Sequence, residues 1–111
     1  MSEEGRVRYM RVMVFFDLPV ETAAQRKEYR LFRKRLIKEG YLMVQESVYA
    51  KLAVNDANAN AAIRQLRKFR PPSGVVQALK VTEKQYASMA FITGSKAHHD
   101  ELDTLEEFVV L

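Results

Sequence analysis

The side chains best suited to chemistry in this sequence are a crowd of cations and one acid at a strand end. Arg26, Lys27, Arg30, Arg33, Lys34 and Lys38, with Arg35 among them, fall within a short stretch, mostly off an apolar stripe of Tyr29, Phe32, Leu36 and Ile37. Guanidinium and ammonium groups in such a row suit the oxygens of a phosphate backbone, which gives sequence-independent, salt-sensitive binding. The competing reading is a solubilising helix face. Arg6, Arg8 and Arg11 extend the patch, while Arg64, Arg67, Lys68 and Arg70 divide evenly between solvent and nucleic acid. Asp17, in Phe16-Asp17-Leu18-Pro19, reads on its residues alone as an acceptor of turn hydrogen bonds. Ser47 lacks a nucleophile elbow and a His-plus-acid pair, so its hydroxyl is expected to bond locally. His98 and His99 are adjacent in a polar stretch and match no metal-site spacing.

Composition sets the frame for these groups. The sequence has 111 residues, one domain's worth, and no cysteine, which excludes disulfides, thiolate metal sites and thiol nucleophiles. Net charge is +4, but it is unevenly spread. Residues 1–95 carry 17 basic and 9 acidic side chains, whereas residues 96–111 carry one basic and five acidic. A basic body with an acidic extension points to a polyanionic partner. No apolar run approaches membrane-spanning length, and Met1-Ser2-Glu3-Glu4-Gly5 lacks secretory-signal character. The expectation is a soluble cytoplasmic protein without a membrane partner.

The elements that must position the cations and the acid follow from periodicity. Arg6 to Phe16 alternates with apolar residues on both faces and predicts a strand covered on both sides. Thr22 and Gln25 have capping-box spacing, and a helix is predicted from Ala23 to Glu39, stopped by Gly40. Tyr41–Gln45 and Ser47–Val54 predict two strands joined by a tight hairpin or a bulge near Glu46. A second helix runs from the Asn55–Asn58 region to about Phe69, with Ala62, Ile63, Leu66 and Phe69 inward, and Pro71-Pro72-Ser73-Gly74 breaks it. Val75–Val81 predicts a fourth strand, residues 82–88 a turn or short helical piece, and Met89–Ile92 a short fifth strand. Tyr9, Tyr29, Tyr41 and Phe32 are expected in the core, since the RNA-recognition consensus that would place aromatics on a sheet is absent from Ser47–Leu52.

The order β-α-β-β-α-β is the ferredoxin-like α+β pattern, four antiparallel strands with both helices on one face. Residues 1–94 are expected to form this domain, and residues 95–111 an acidic tail with a C-terminal strand extension at Phe108–Leu111. Two helices cover only one face, yet three strands carry apolar residues on both. A second subunit over the bare face, as a two-fold homodimer through the sheet, is the predicted remedy.

Three local patterns together resemble the CRISPR-associated protein 2 family: Phe16-Asp17 at the end of the first strand, a basic helix with Arg30, Phe32 and Arg33 leaving through Gly40-Tyr41, and Gln45-Glu46-Ser47-Val48-Tyr49. The resemblance covers about residues 8–92, and Phe-Phe-Asp-Leu-Pro-Val-Glu-Thr is similar to the type II branch. It implies a dimeric adaptor that binds double-stranded DNA in the complex that inserts new spacers, bridging dimers of an integrase, CRISPR-associated protein 1. It also implies that the Asp17 carboxylates of two subunits meet near the two-fold axis and hold one Mg²⁺, with Phe16, Gln45 and Ser47 near that site. Like charges brought together favour such an ion. An alternative function is a Mg²⁺-dependent endonuclease acting on RNA or DNA through Asp17 of both chains. A third is a ferredoxin-like regulatory module with no nucleic-acid role.

Overall fold

A computed structural model describes residues 8–94. The element order is β1 (Met10–Asp17), α1 (Ala23–Lys38), β2 (Leu42–Gln45), β3 (Val48–Ala53), α2 (Asp56–Lys68), β4 (Val75–Thr82) and a short α3 (Glu83–Ala87). The four strands form one antiparallel sheet in the order β2-β3-β1-β4, the ferredoxin-like arrangement expected from the sequence. The hairpin between β2 and β3 carries a register irregularity between Met43 and Gln45.

Local chemistry accounts for the helix boundaries. The Thr22 hydroxyl accepts from the Gln25 amide, and the Gln25 side chain accepts from the Thr22 and Glu21 amides, so the predicted capping box closes. Gly40, at φ +97°, makes the left-handed turn out of α1. Asn55 caps α2 by accepting from the Asn58 amide.

Strand alternation divides the core in two. Val12, Val14 and Phe16 of β1, with Tyr49 and Ala53 of β3, face the helices and pack against Phe32, Leu36, Ala59, Ala62 and Leu66. Met13, Val44 and Ala50 form a smaller cluster on the opposite face, with Phe15, Val48, Val81 and Tyr86 partly buried against it. That second face is incompletely covered. Leu42, Leu52, Val75 and Leu79 lie on it exposed, Leu79 at 52% and Leu52 at 47%.

Several expectations change. β1 begins at Met10, and Arg8 and Tyr9 precede it outside the sheet. Tyr9 is exposed instead of core, while Tyr41 and Phe32 are buried as expected. Residues 89–92 form no strand; they are exposed coil, because α3 turns the chain away before a further pairing is made within this chain. Arg11 does not extend the basic patch. Its strand position puts it on the less-covered sheet face, where it pairs with Glu83 of α3 and lies 4.4 Å over the Tyr86 ring. This contact holds the Glu83 carboxyl below its ordinary value. The expected tail strand at Phe108–Leu111, His98 and His99, and Arg6 lie outside the described residues.

Tyr41 is buried, and its hydroxyl finds no hydrogen-bond partner among the described residues. Removing an unsatisfied buried hydroxyl without changing the ring costs nothing in packing. Tyr41→Phe is therefore expected to leave stability unchanged or raise it by about 1 kcal/mol, read from the denaturant midpoint. Burial, with the Glu39 carboxylate adding to it, pushes the Tyr41 phenol up to about 12. The folded chain thus holds that proton more tightly than the unfolded chain. Stability is complete below the ordinary tyrosine value of about 10 and falls as pH rises through the folded value. Tyr41→Phe should lose that alkaline sensitivity. Parallel unfolding curves at pH 9 and 11 check this, and an equal fall in both proteins would contradict it.

Candidate functional site

Asp17 is the last residue of β1 and is exposed. It pairs with Val75 across the sheet, and by alternation falls on the face of Met13 and Phe15, the one α1 and α2 leave open and α3 covers only in part. Its neighbours fix it from the other side. Phe16 enters the helix-side core among Phe32, Tyr49 and Tyr29, with ring centroids 5.3, 5.7 and 6.0 Å away. Leu18 is buried. The carboxylate is therefore held on a strand end anchored at both adjacent residues.

Gly74 completes this seat. It has φ +90°, and a Cβ there would lie 2.7 Å from the Asp17 carbonyl oxygen and 2.8 Å from a Leu18 methyl. Both the left-handed backbone and the backbone contact require glycine. In the sequence it reads only as the end of a Pro-Pro-Ser-Gly breaker; nothing local reveals that it abuts Asp17. Gly74→Ala should destabilise by about 2–4 kcal/mol, combining left-handed strain with a contact that neither backbone can relieve. A denaturation midpoint unchanged by this substitution would show that the seat relaxes.

The residues that the resemblance groups with Asp17 share its end of the sheet. The Phe16 amide donates to the Ser47 carbonyl at 3.1 Å, so Ser47 touches the site through its backbone. Val48 pairs with Phe15 on one side and Gln45 on the other, which leaves Gln45 exposed one strand further out. Among the described residues no group of three or more His, Cys, Asp or Glu side chains is placed to hold a metal. A magnesium ion is typically held by one or two carboxylates and keeps several waters, so a pair of Asp17 side chains from two chains would fit that ion whereas a zinc-like cage would not.

The cations separate into two kinds. Lys27, Arg30, Lys34 and Lys38 are exposed and recur at spacings of three and four, which sets them on one stripe of α1. It lies opposite the buried Phe32 and Leu36. At 1.5 Å per residue this stripe is roughly 16 Å long. Arg26 and Arg33 have structural work as well. Arg26 Nη1 donates to the carbonyls of Val20 and Glu21, closing the β1–α1 loop. Arg33 Nε donates to the Tyr49 hydroxyl at 2.7 Å, tying α1 to β3 beside Phe16. Arg35 pairs with Glu39 and lies 4.6 Å over Phe69. Hydrophobic spacing could find the stripe, but not which arginines fold inward.

Comparison with known proteins agrees with these patterns. The family described as CRISPR associated protein Cas2 matches residues 10–89. A protein named CRISPR-associated endoribonuclease Cas2 from Ligilactobacillus salivarius strain UCC118 is 53% identical over 87 residues, covering 78% of this chain and 86% of that protein. One of the same name from Treponema denticola is 50% identical over 102 residues, covering 92% of this chain and all of the relative. Another, from Campylobacter jejuni, is 35% identical over 96 residues, covering 86% of this chain and 67% of that protein.

Proposed function

The chain belongs to the CRISPR-associated protein Cas2 family, and from that premise we propose that it is a cytoplasmic homodimeric adaptor that holds double-stranded DNA during spacer acquisition. Two copies join through the bare sheet face. The integrase subunit, CRISPR-associated protein 1, docks at the ends of the pair. The observation that carries this reading is the opposition of two surfaces: an outward stripe of Lys27, Arg30, Lys34 and Lys38 on α1, and an apolar sheet face with Leu52 and Leu79 exposed on the other side of the same domain. Pairing through the second face leaves the first free in both copies and doubles the cationic surface offered to a duplex. Among the described residues no helix is long and apolar enough to cross a membrane.

Fluorescence anisotropy with a labelled duplex tests the proposal. Affinity should fall log-linearly with salt and be indifferent to sequence. Absence of binding at low salt, or binding that ignores salt, would end it.

A second reading has its own support in the position of Asp17 at the edge of the bare face. Face-to-face pairing could bring two such carboxylates together, and the relatives above are named endoribonucleases. On this reading Asp17 of both chains would hold Mg²⁺, which when bound supplies charge neutralisation at a phosphodiester. Phe16 and Gly74 keep the Asp17 backbone in place, and the exposed carboxylate leaves access for a substrate strand. Asp17→Ala should abolish Mg²⁺-dependent cleavage of RNA or DNA while leaving duplex binding within a few-fold. Cleavage unchanged in the variant would reject the enzyme reading alone.

A further inference from the structure

We infer that the groove between the β1–α1 and α2–β4 loops is a base-binding subsite. It takes one unpaired nucleobase of a single strand whose neighbouring phosphodiester lies at Asp17. The groove, of about 280 Å³, has walls of Leu18, Pro19, Tyr29, Pro71 and Pro72. These include all three prolines of the sequence. A proline ring fixes its own backbone, so the two loops offer apolar surfaces that lose little freedom on binding. Gly74 sets the loops together through its close approach to the Asp17 carbonyl and a Leu18 methyl. The Tyr29 ring is held by its edge contact with Phe16. Groove and carboxylate meet at one strand end. Asp17 falls on the open sheet face, and the next residue, Leu18, is buried in the helix-side core.

The lining selects the ligand. Among the described residues no lysine or arginine lines this groove, and one carboxylate, Glu28, does. A phosphate is therefore disfavoured inside it, whereas a base suits it: its faces pack on the tyrosine and the prolines, and its edge bonds to polar groups. Gln25 supplies a donor, because its Oε1 is taken by the Glu21 and Thr22 amides and its NH₂ group remains. Glu28, one turn along α1, supplies an acceptor. A donor near an acceptor matches the hydrogen-bonding edge of a base, which is free only where the strand is unpaired.

The phosphates that follow have cations ahead of them. Glu28 and Pro71 also line the adjoining groove, where Lys34, Arg35, Lys38 and Arg70 gather. A single strand can thus pass Asp17, lay one base among the prolines and continue over the cations. The link to cleavage rests on the enzyme reading of Asp17; the base site itself does not.

Photo-cross-linking of the full chain to a single-stranded RNA carrying 4-thiouridine tests the subsite, with Mg²⁺ withheld so that the strand stays whole. Mass spectrometry should place cross-links at Tyr29 or within residues 71–73. Ala24→Leu with Ser73→Leu fills the groove from its exposed rim. That variant should lose the groove cross-link about tenfold while melting at the parent temperature. An abasic oligonucleotide of the same length should compete for the groove cross-link at least about tenfold more weakly than the RNA. Equal competition would mean that the groove holds backbone, and would overturn the subsite. Cross-links confined to the cationic stripe of α1, or a groove cross-link untouched by filling, would overturn it too. Cleavage is scored separately. A chain that cross-links in the groove but does not cut would end the enzyme reading and leave the subsite standing. A chain that cuts without a groove cross-link would end the subsite alone.

Discussion

Replacing Lys27, Arg30, Lys34 and Lys38 together by alanine is expected to weaken binding to duplex DNA by about a thousandfold at low salt, with the fold retained. The four side chains are exposed and opposite the buried stripe of α1, so their removal costs little packing. If each neutralises one phosphate in both copies of the pair, eight contacts are lost and the slope of log affinity against log salt should become shallower by about seven. Salt dependence is the decisive readout, because a general loss of fold would lower affinity without that specific change in slope. The parallel variant with Arg26 and Arg33 replaced should behave differently. Those two arginines hold the β1–α1 loop and the Tyr49 hydroxyl. Their loss should show first in thermal stability, whereas the quadruple variant should melt near the parent.

The second large effect concerns the bare sheet face. Leu52→Asp with Leu79→Asp is expected to raise the dimer dissociation constant at least about a thousandfold. Each leucine is half exposed in the single chain, so a charge there costs little in the monomer fold. In a face-to-face pair each would be buried, and fully burying a leucine stabilises by about 1.5–3 kcal/mol. About half of that remains to be gained at each leucine, so two positions on two chains contribute roughly 3–6 kcal/mol; with the penalty for burying carboxylates added, the total passes the roughly 4 kcal/mol that a thousandfold change represents. Sedimentation velocity over a concentration series reads the change. A variant that self-associates like the parent would show that the chains meet elsewhere. The same variant should bind duplex with a shallower salt dependence, since half the cationic surface is then offered per particle.

Much of this was legible in the residues. The Thr22–Gln25 capping box and the Gly40 exit specify α1 nearly to the residue, because each is a local signal with a local cause; alternation finds β1 but starts it ahead of Met10. The end of β1 was legible as well, since Asp17 precedes Leu18-Pro19. What stayed hidden was long-range. Arg11 and Glu83 are 72 positions apart, so nothing near Arg11 announces that its charge is used internally. Gly74 reads as a helix breaker, yet its close contact with Asp17 follows from β1–β4 pairing. Met89–Ile92 shows how composition misleads: β-prone residues form a strand only where an edge is in reach, and α3 carries this segment elsewhere. Arg26 and Arg33 illustrate the same limit within the site. Spacing places them on the helix, but only tertiary contacts decide that they brace the loop and the sheet.

The most direct check of the two-copy arrangement is the molar mass of the unmodified protein by light scattering at micromolar concentration. A mass twice the 12.8 kDa of one chain is expected. A mass of one chain across that range would contradict the pairing through the bare face, and with it the shared Asp17 site and the doubled cationic surface.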